Sequence, residues 1–196
     1  VVDGPNHQYS KSYGFESDFR NYVHRYISPD LQYFSFLRPL SEIEIAEIFS
    51  RYPKYFKAFK SCNVGSKQDV WCGQCPKCLF TAIILSPFID REEIIKIFNG
   101  DILDRQELIP IFDSLIGANP VKPFECVGTL DEVNKALALT IMKRQGDLPT
   151  LLRYYMQTTQ YKRYEEKSVP DPVEAKSEHF LEKPFIDILN NGVSEL

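Results

Sequence analysis

The stretch Ser61–Phe80, SCNVGSKQDVWCGQCPKCLF, places Cys62, Cys72, Cys75 and Cys78 within seventeen residues, separated by nine, two and two intervening positions. Two successive CxxC steps set thiolates on a tight turn. The nine-residue loop returns the remaining sulfur, enough to close a tetrahedral four-thiolate shell around zinc. Gly73 permits the backbone angles with which such a knuckle turns its N–H groups toward sulfur. Four thiolates on one zinc ion leave a net charge of about −2, part of which the neighbouring Lys77 could offset. Four protein ligands leave no position for water, so the site is expected to be structural rather than catalytic. An iron–sulfur cluster, which also uses CxxCxxC with a distant Cys, stays open as the alternative. Disulfides fit poorly, because the fifth thiol, Cys126, is left over, no apolar leader precedes the cluster and the composition resembles that of intracellular globular proteins.

The 196 residues are 43% hydrophobic and 26% charged, sufficient for a full core. A net charge of −4 and a pI near 5.5 argue against a nucleic-acid partner, which needs a basic face. No run reaches membrane-spanning length, so a cytoplasmic protein with no membrane partner is expected. The chain opens on Val1 and reads like the middle of a longer protein.

Outward from the cysteines, Val1 to Pro5 reads as the exit of a buried strand, followed by the polar block Asn6-His7-Gln8-Tyr9-Ser10-Lys11-Ser12. Phe15, Phe19, Tyr22, Val23, Tyr26 and Ile27 recur at helical spacing and predict a helix from about Ser17. Leu31 to Phe36, bounded by Pro29 and Pro39, predicts a short strand. Four helix starts share a capping-box pattern: Ser41/Glu44, Asp90/Glu93, Asp104/Glu107 and Thr129/Glu132. Leu40 with Ile45, Ile89 with Ile94 and Leu103 with Leu108 add hydrophobic staples. Gly100 and Gly117 are expected stops. Further helices are expected after the cysteines, with Leu79, Phe80, Ile83 and Ile84 inward, over about 148–158, and around Pro184 to Asn190 beyond a charged linker.

Arg38-Pro39-Leu40-Ser41-Glu42-Ile43-Glu44-Ile45-Ala46, Ser61-Cys62 and Cys72-Gly73-Gln74-Cys75-Pro76-Lys77-Cys78 together resemble the C-terminal part of the PP-loop ATP pyrophosphatases, such as 7-cyano-7-deazaguanine synthase. A closer resemblance is to the UDP-N-acetylmuramoyl-L-alanyl-L-glutamate epimerases, a bacterial peptidoglycan family. It is carried by Cys-Pro-Lys-Cys with Leu79-Phe80, by the block from Asn6 to Ser12 with Phe15-Glu16, and by Pro123-Phe124-Glu125-Cys126-Val127-Gly128-Thr129. This resemblance covers residues 3 to about 142 and implies a helix-rich α/β fold, the C-terminal part of a PP-loop (adenine nucleotide alpha hydrolase-like) architecture. Residues 1–60 would end the nucleotide-binding core, 61–80 form the zinc knot, 81–161 a helical extension, and 162–196 a charged linker with a terminal helix. The glycine-rich ATP loop is absent here and would lie upstream, so this chain alone is expected to be inactive.

The family's reaction would be ATP-dependent inversion of the terminal L-glutamate of a UDP-linked muramoyl dipeptide, with ATP and Mg2+ used by the complete enzyme. Polar groups leaving the carboxyl end of a parallel strand face the ligand crevice of α/β sheets, so Asn6, Gln8, Ser10 and Ser12 are candidate substrate contacts. His7 suits a proton-transfer role and Lys11 a phosphate or carboxylate; a turn-capping histidine and a solvated lysine are the alternatives. Cys126 could act as a base at Cα, as paired cysteines do in cofactor-independent glutamate racemases, although a buried inert thiol is common. Glu16, Arg38 and Glu125 are candidate orienting groups for substrate, with helix surface or salt bridging the more favoured account of each. The rival readings are another PP-loop ligase or nucleoside-modifying enzyme, and a noncatalytic zinc-stabilised interaction module.

Overall fold

A computed structural model describes residues 9–120, 127–144, 146–165 and 178–194. The chain divides into two compact units, Val1–Leu40 with Val173–Leu196, and Ser41–Pro172. Among the described residues every regular element is helical, so the helix-rich expectation holds and the strand component of the α/β expectation has no counterpart. No described helix is long and apolar enough to cross a membrane.

In the first unit, α1 (Tyr13–Tyr26) starts four residues before the expected Ser17. The reason is Ser12, whose Oγ accepts the Phe15 N–H at 3.0 Å and caps the helix there. The segment after α1 is not the strand its aromatic alternation predicted. Its polar groups are claimed by side chains of α1: Arg20 donates to the Tyr33 carbonyl at 2.5 Å and to Gln32 Oε1 at 2.9 Å, and Glu16 Oε1 accepts the Ser35 N–H at 3.1 Å. The rings that suggested a strand pack against helices. Tyr33 meets Phe19 edge-on at 4.7 Å, and Phe34 meets Phe185 of the terminal helix α9 (Lys183–Ser194) at 4.7 Å. Phe180, just before α9, stacks on Tyr13 and lies under the Arg20 guanidinium.

The second unit is built around α3 (Pro76–Leu85), every residue of which from Cys78 to Leu85 is buried. A helix apolar on all sides needs neighbours on all sides. It receives them from α2 (Glu42–Ser50), α4 (Arg91–Phe98), α5 (Ile109–Ile116) and α6 (Leu130–Lys143). α6 brings Ala136 and Leu137 into the same core, and Thr140 meets Ser86 at 2.6 Å between the hydroxyl oxygens. The helix expected over about 148–158 is the shorter α7 (Thr150–Tyr155), and a further short helix, α8 (Thr159–Tyr164), follows it because Thr158 caps a new start by accepting the Tyr161 N–H.

The capping boxes at Ser41/Glu44 and Thr129/Glu132 form as expected, with both reciprocal bonds present. Asp90 does precede α4, but makes no side-chain cap, and Glu93 instead pairs with Lys96 at 2.8 Å. Asp104 starts no α-helix: 3-10 turns run through Ile102–Asp104 and Gln106–Leu108, and α5 begins at Ile109. Asp104 Oδ1 accepts from both the N–H and the hydroxyl of Thr150, each at 2.7 Å, and so caps α7 from a distance. These bonds hold the Asp104 carboxyl below its ordinary pKa. Its contribution is therefore present above the ordinary carboxylate range and lost as pH falls through the lowered value. Asp104→Ala should cost about 1 kcal/mol at neutral pH, the usual worth of a helix cap, and wild type and variant should converge in denaturant titrations in acid. α5 stops at Gly117 as expected, and α4 one residue early, at left-handed Asn99.

Candidate metal centre

The four sulfurs of Cys62, Cys72, Cys75 and Cys78 all lie within 4.8 Å of one another. Individual separations are 3.9 Å for Cys62–Cys75, 3.7 Å for Cys72–Cys78 and 3.4 Å for Cys75–Cys78. A tetrahedron of sulfurs about 2.3 Å from a central ion has edges of about 3.8 Å, so the donor set fits one tetrahedral metal ion. A cubane iron–sulfur cluster would spread its cysteine sulfurs farther apart, one onto each iron.

Local structure explains how the sulfurs converge. Cys75 is the N-cap of α3, its Sγ accepting the Cys78 N–H at 3.4 Å, with Pro76 fixing the first turn. Two of the four sulfurs therefore sit at the positive end of a helix. Cys62 Sγ accepts from the N–H groups of Gly65 at 3.2 Å and Cys72 at 3.4 Å, and Cys72 Sγ from that of Gln74 at 3.5 Å. Gly65 is the position where nothing larger fits, since a Cβ there would lie 2.1 Å from the Val70 carbonyl oxygen. Gly73 adopts φ +67, the left-handed angle expected of the knuckle. The contact with Cys78 holds the Cys75 thiol down to about 5, while the same contact and burial hold Cys78 far above the usual thiol range. Cys62 is lowered too, its burial outweighed by the N–H donors of Cys72 and Gly65.

Two residues around this centre, Arg105 and Trp71, carried no recognisable signal. Arg105 Nη1 donates to the Gly73 carbonyl at 3.1 Å from 32 positions away. Trp71 is buried beside Cys72 against Phe98 and Phe59, at 4.8 and 5.4 Å between ring centroids. Glu132 closes its own capping box with Oε2 and accepts the Glu42 N–H with Oε1 at 2.8 Å, so one carboxylate serves the N-termini of α2 and α6. Lys77, expected to offset thiolate charge, lines a cavity of about 300 Å³ between α2 and α3 with Ser61, Phe49, Phe59 and Phe80.

In the first unit the expected substrate residues are placed as follows. Glu16 is 1% exposed, and its Oε2 accepts from Arg38 Nε at 2.7 Å. The Arg38 Nη2 reaches the carbonyls of Lys11 at 3.2 Å and Ser12 at 3.3 Å, tying the 3-10 turn Tyr9–Lys11 to the segment after α1. Ser10 and Lys11 are exposed, and Ser12 is the α1 cap. Asn6, His7, Gln8 and Cys126 lie outside the described residues, as does Glu125.

The family described as MurL C-terminal domain matches residues 57–169, and that described as MurL N-terminal domain matches residues 3–36. The chain is 35% identical over 161 residues to the UDP-N-acetyl-alpha-D-muramoyl-L-alanyl-L-glutamate epimerase of Xanthomonas oryzae pv. oryzae, covering 79% of this chain and 36% of that protein. It is 41% identical over 138 residues to the enzyme of the same name from Salinispora tropica, covering 68% of this chain and 30% of the relative. The corresponding Micromonospora protein is 38% identical over 138 residues, with 68% and 31% covered. The chain thus spans about a third of the length of the curated relatives it matches. No solved structure matches it. With a match to the C-terminal family over more than half its length, and the four cysteines inside that match, the chain belongs to the MurL family.

Proposed function

We propose that this chain is the zinc-bearing C-terminal portion of an ATP-dependent epimerase that converts the terminal L-glutamate of UDP-MurNAc-L-Ala-L-Glu to D-glutamate in the cytoplasm. The observation that carries this reading is the identity of 35–41% to proteins named as that epimerase. The substrates are the UDP-linked peptidoglycan precursor and ATP with Mg2+, and the ATP loop belongs to a PP-loop core outside this chain. By itself the chain is inactive.

The chemistry follows from the acidity of Cα. Removing a proton beside a carboxylate concentrates a second negative charge, whereas an acyl-adenylate is neutral at the carbonyl and its enolate is tolerable. The glutamate carboxylate attacks the α-phosphorus of ATP and expels pyrophosphate. A base takes the Cα proton, an acid returns one to the opposite face, and water cleaves the mixed anhydride to carboxylate and AMP. Cys126 and His7 are assigned the Cα proton transfers, and Lys11, exposed on its turn, a phosphate or carboxylate of the substrate. Asn6, Gln8, Ser10 and Ser12 are assigned further contacts to substrate. Glu16 and Arg38 orient these residues through the Lys11 and Ser12 carbonyls. The zinc ion, held by Cys62, Cys72, Cys75 and Cys78, is structural.

The full-length protein, given the UDP-linked dipeptide, ATP and Mg2+ in heavy water, should take up deuterium at the glutamate Cα and release one AMP and one pyrophosphate per turnover. Cys126→Ser should lower Cα exchange at least about 100-fold, the usual worth of a positioned acid or base, while adenylation persists. Pyrophosphate release without deuterium uptake overturns the epimerase reading, and unaltered exchange in Cys126→Ser removes that residue from the chemistry.

A further inference from the structure

Arg105 occupies a slot that exists because two residues have no side chain. A Cβ on Gly73 would lie 3.1 Å from its Nη1, and one on Gly100 would lie 3.0 Å from its Nη2. From that slot Nη1 donates to the Gly73 carbonyl at 3.1 Å. The same peptide unit carries the Gln74 N–H on its other side, and that N–H points at Cys72 Sγ, 3.5 Å away. A guanidinium, one peptide and one metal-ligand sulfur therefore form a continuous chain.

A cation on a peptide oxygen polarises the amide and makes its N–H a stronger donor, and hydrogen bonds in series reinforce one another. Donors to a ligand sulfur hold its thiolate, and loss of an outer partner of a metal ligand costs about 10–100-fold in metal affinity. Cys72 is where such help matters most. It is half-buried whereas Cys62, Cys75 and Cys78 are buried, and it accepts the longest of the N–H···S bonds. Guanidinium is the suitable cation, since it never deprotonates and its planar fork fits between two backbone segments.

We propose that Arg105 is a positioning residue of the metal centre, which acts through the Gly73–Gln74 peptide to hold the Cys72 thiolate on the ion and so governs how readily the metal is released at that ligand. The proposal presumes a metal ion on the four sulfurs, and it is independent of the reaction assigned to the complete protein.

The test uses this chain loaded with zinc. Arg105→Met should lower zinc affinity, measured by competition with a chromophoric chelator, by about 10-fold or more. Alkylation of the zinc-loaded chain with iodoacetamide, mapped by mass spectrometry, should accelerate at Cys72 selectively, leaving Cys62, Cys75 and Cys78 protected. Arg105→Lys, which keeps the charge and the stem but loses the fork, should fall between wild type and Arg105→Met in both readouts, and it carries the test if the methionine variant does not fold. Unchanged affinity and unchanged Cys72 reactivity overturn the proposal. So does equal acceleration at all four cysteines, the signature of a general loosening of the knuckle.

Discussion

Cys78→Ser should abolish stoichiometric metal binding and produce the largest loss of stability of any single change in the second unit. Purified wild-type chain should carry about one zinc per molecule and be colourless in the visible; the variant should carry far less. Cys78 is completely buried, meets two other knot sulfurs at 3.4 and 3.7 Å, and lies in the first turn of α3, the helix around which the unit is packed. Three thiolates then remain without their ion in a low-dielectric pocket. Loss of a structural metal belongs to the small set of changes worth more than about 4 kcal/mol. At about 2–4 °C per kcal/mol for a chain of this size, the melting temperature should fall by roughly 10 °C or more. Chelator-treated wild type should melt close to the variant, and zinc should leave as pH falls, because protons compete for the thiolates. A variant that keeps its zinc and its melting temperature overturns the assignment of these sulfurs as ligands.

Glu16→Ala should have the largest effect in the first unit, about 3–5 kcal/mol, the cost of removing one member of a buried ion pair. The Glu16 side chain is 2% exposed and that of Arg38 14%, so water cannot replace the lost carboxylate. The change also strips the Ser35 N–H of its acceptor. The exposed pair Lys135–Asp131, with side chains 34% and 53% accessible, is the internal contrast: Asp131→Asn should cost no more than a few tenths of a kcal/mol through that pair. In a double-mutant cycle, Glu16→Ala and Arg38→Met together should cost less than the sum of the two, because both changes remove the same ion pair. A Glu16→Ala chain within about 0.5 kcal/mol of wild type in urea titrations, the size of an ordinary surface substitution, refutes the clamp.

Local signals were legible where the competing partners are also local. The boxes at Ser41 and Thr129 form because the Ser or Thr oxygen, the Glu carboxylate and the N–H groups they satisfy lie within one turn, and no distant group competes for them more strongly. The cysteine spacing was legible for the same reason, its backbone turns being short enough to bring all four sulfurs together. Asp104 has the same box pattern, yet Thr150, 46 positions away, offers two donors at 2.7 Å, and the carboxylate caps a different helix. Leu31 to Phe36 alternates as a strand would, but alternation describes only which side chains are apolar. Where the backbone bonds go was settled by Arg20 and Glu16 on a neighbouring helix.

The thiol spacing and two of the helix caps were thus written in short stretches of sequence, since each depends on groups within one loop or one turn, and the membership of a family was carried by several such stretches. The Glu16–Arg38 clamp, the bridging of two helix N-termini by Glu132 and the seating of Arg105 against Gly73 depend on residues 22, 90 and 32 positions apart. Such pairs meet only when the helices and loops of each unit have packed. Each pairing depends on a tertiary arrangement that no short window of residues contains.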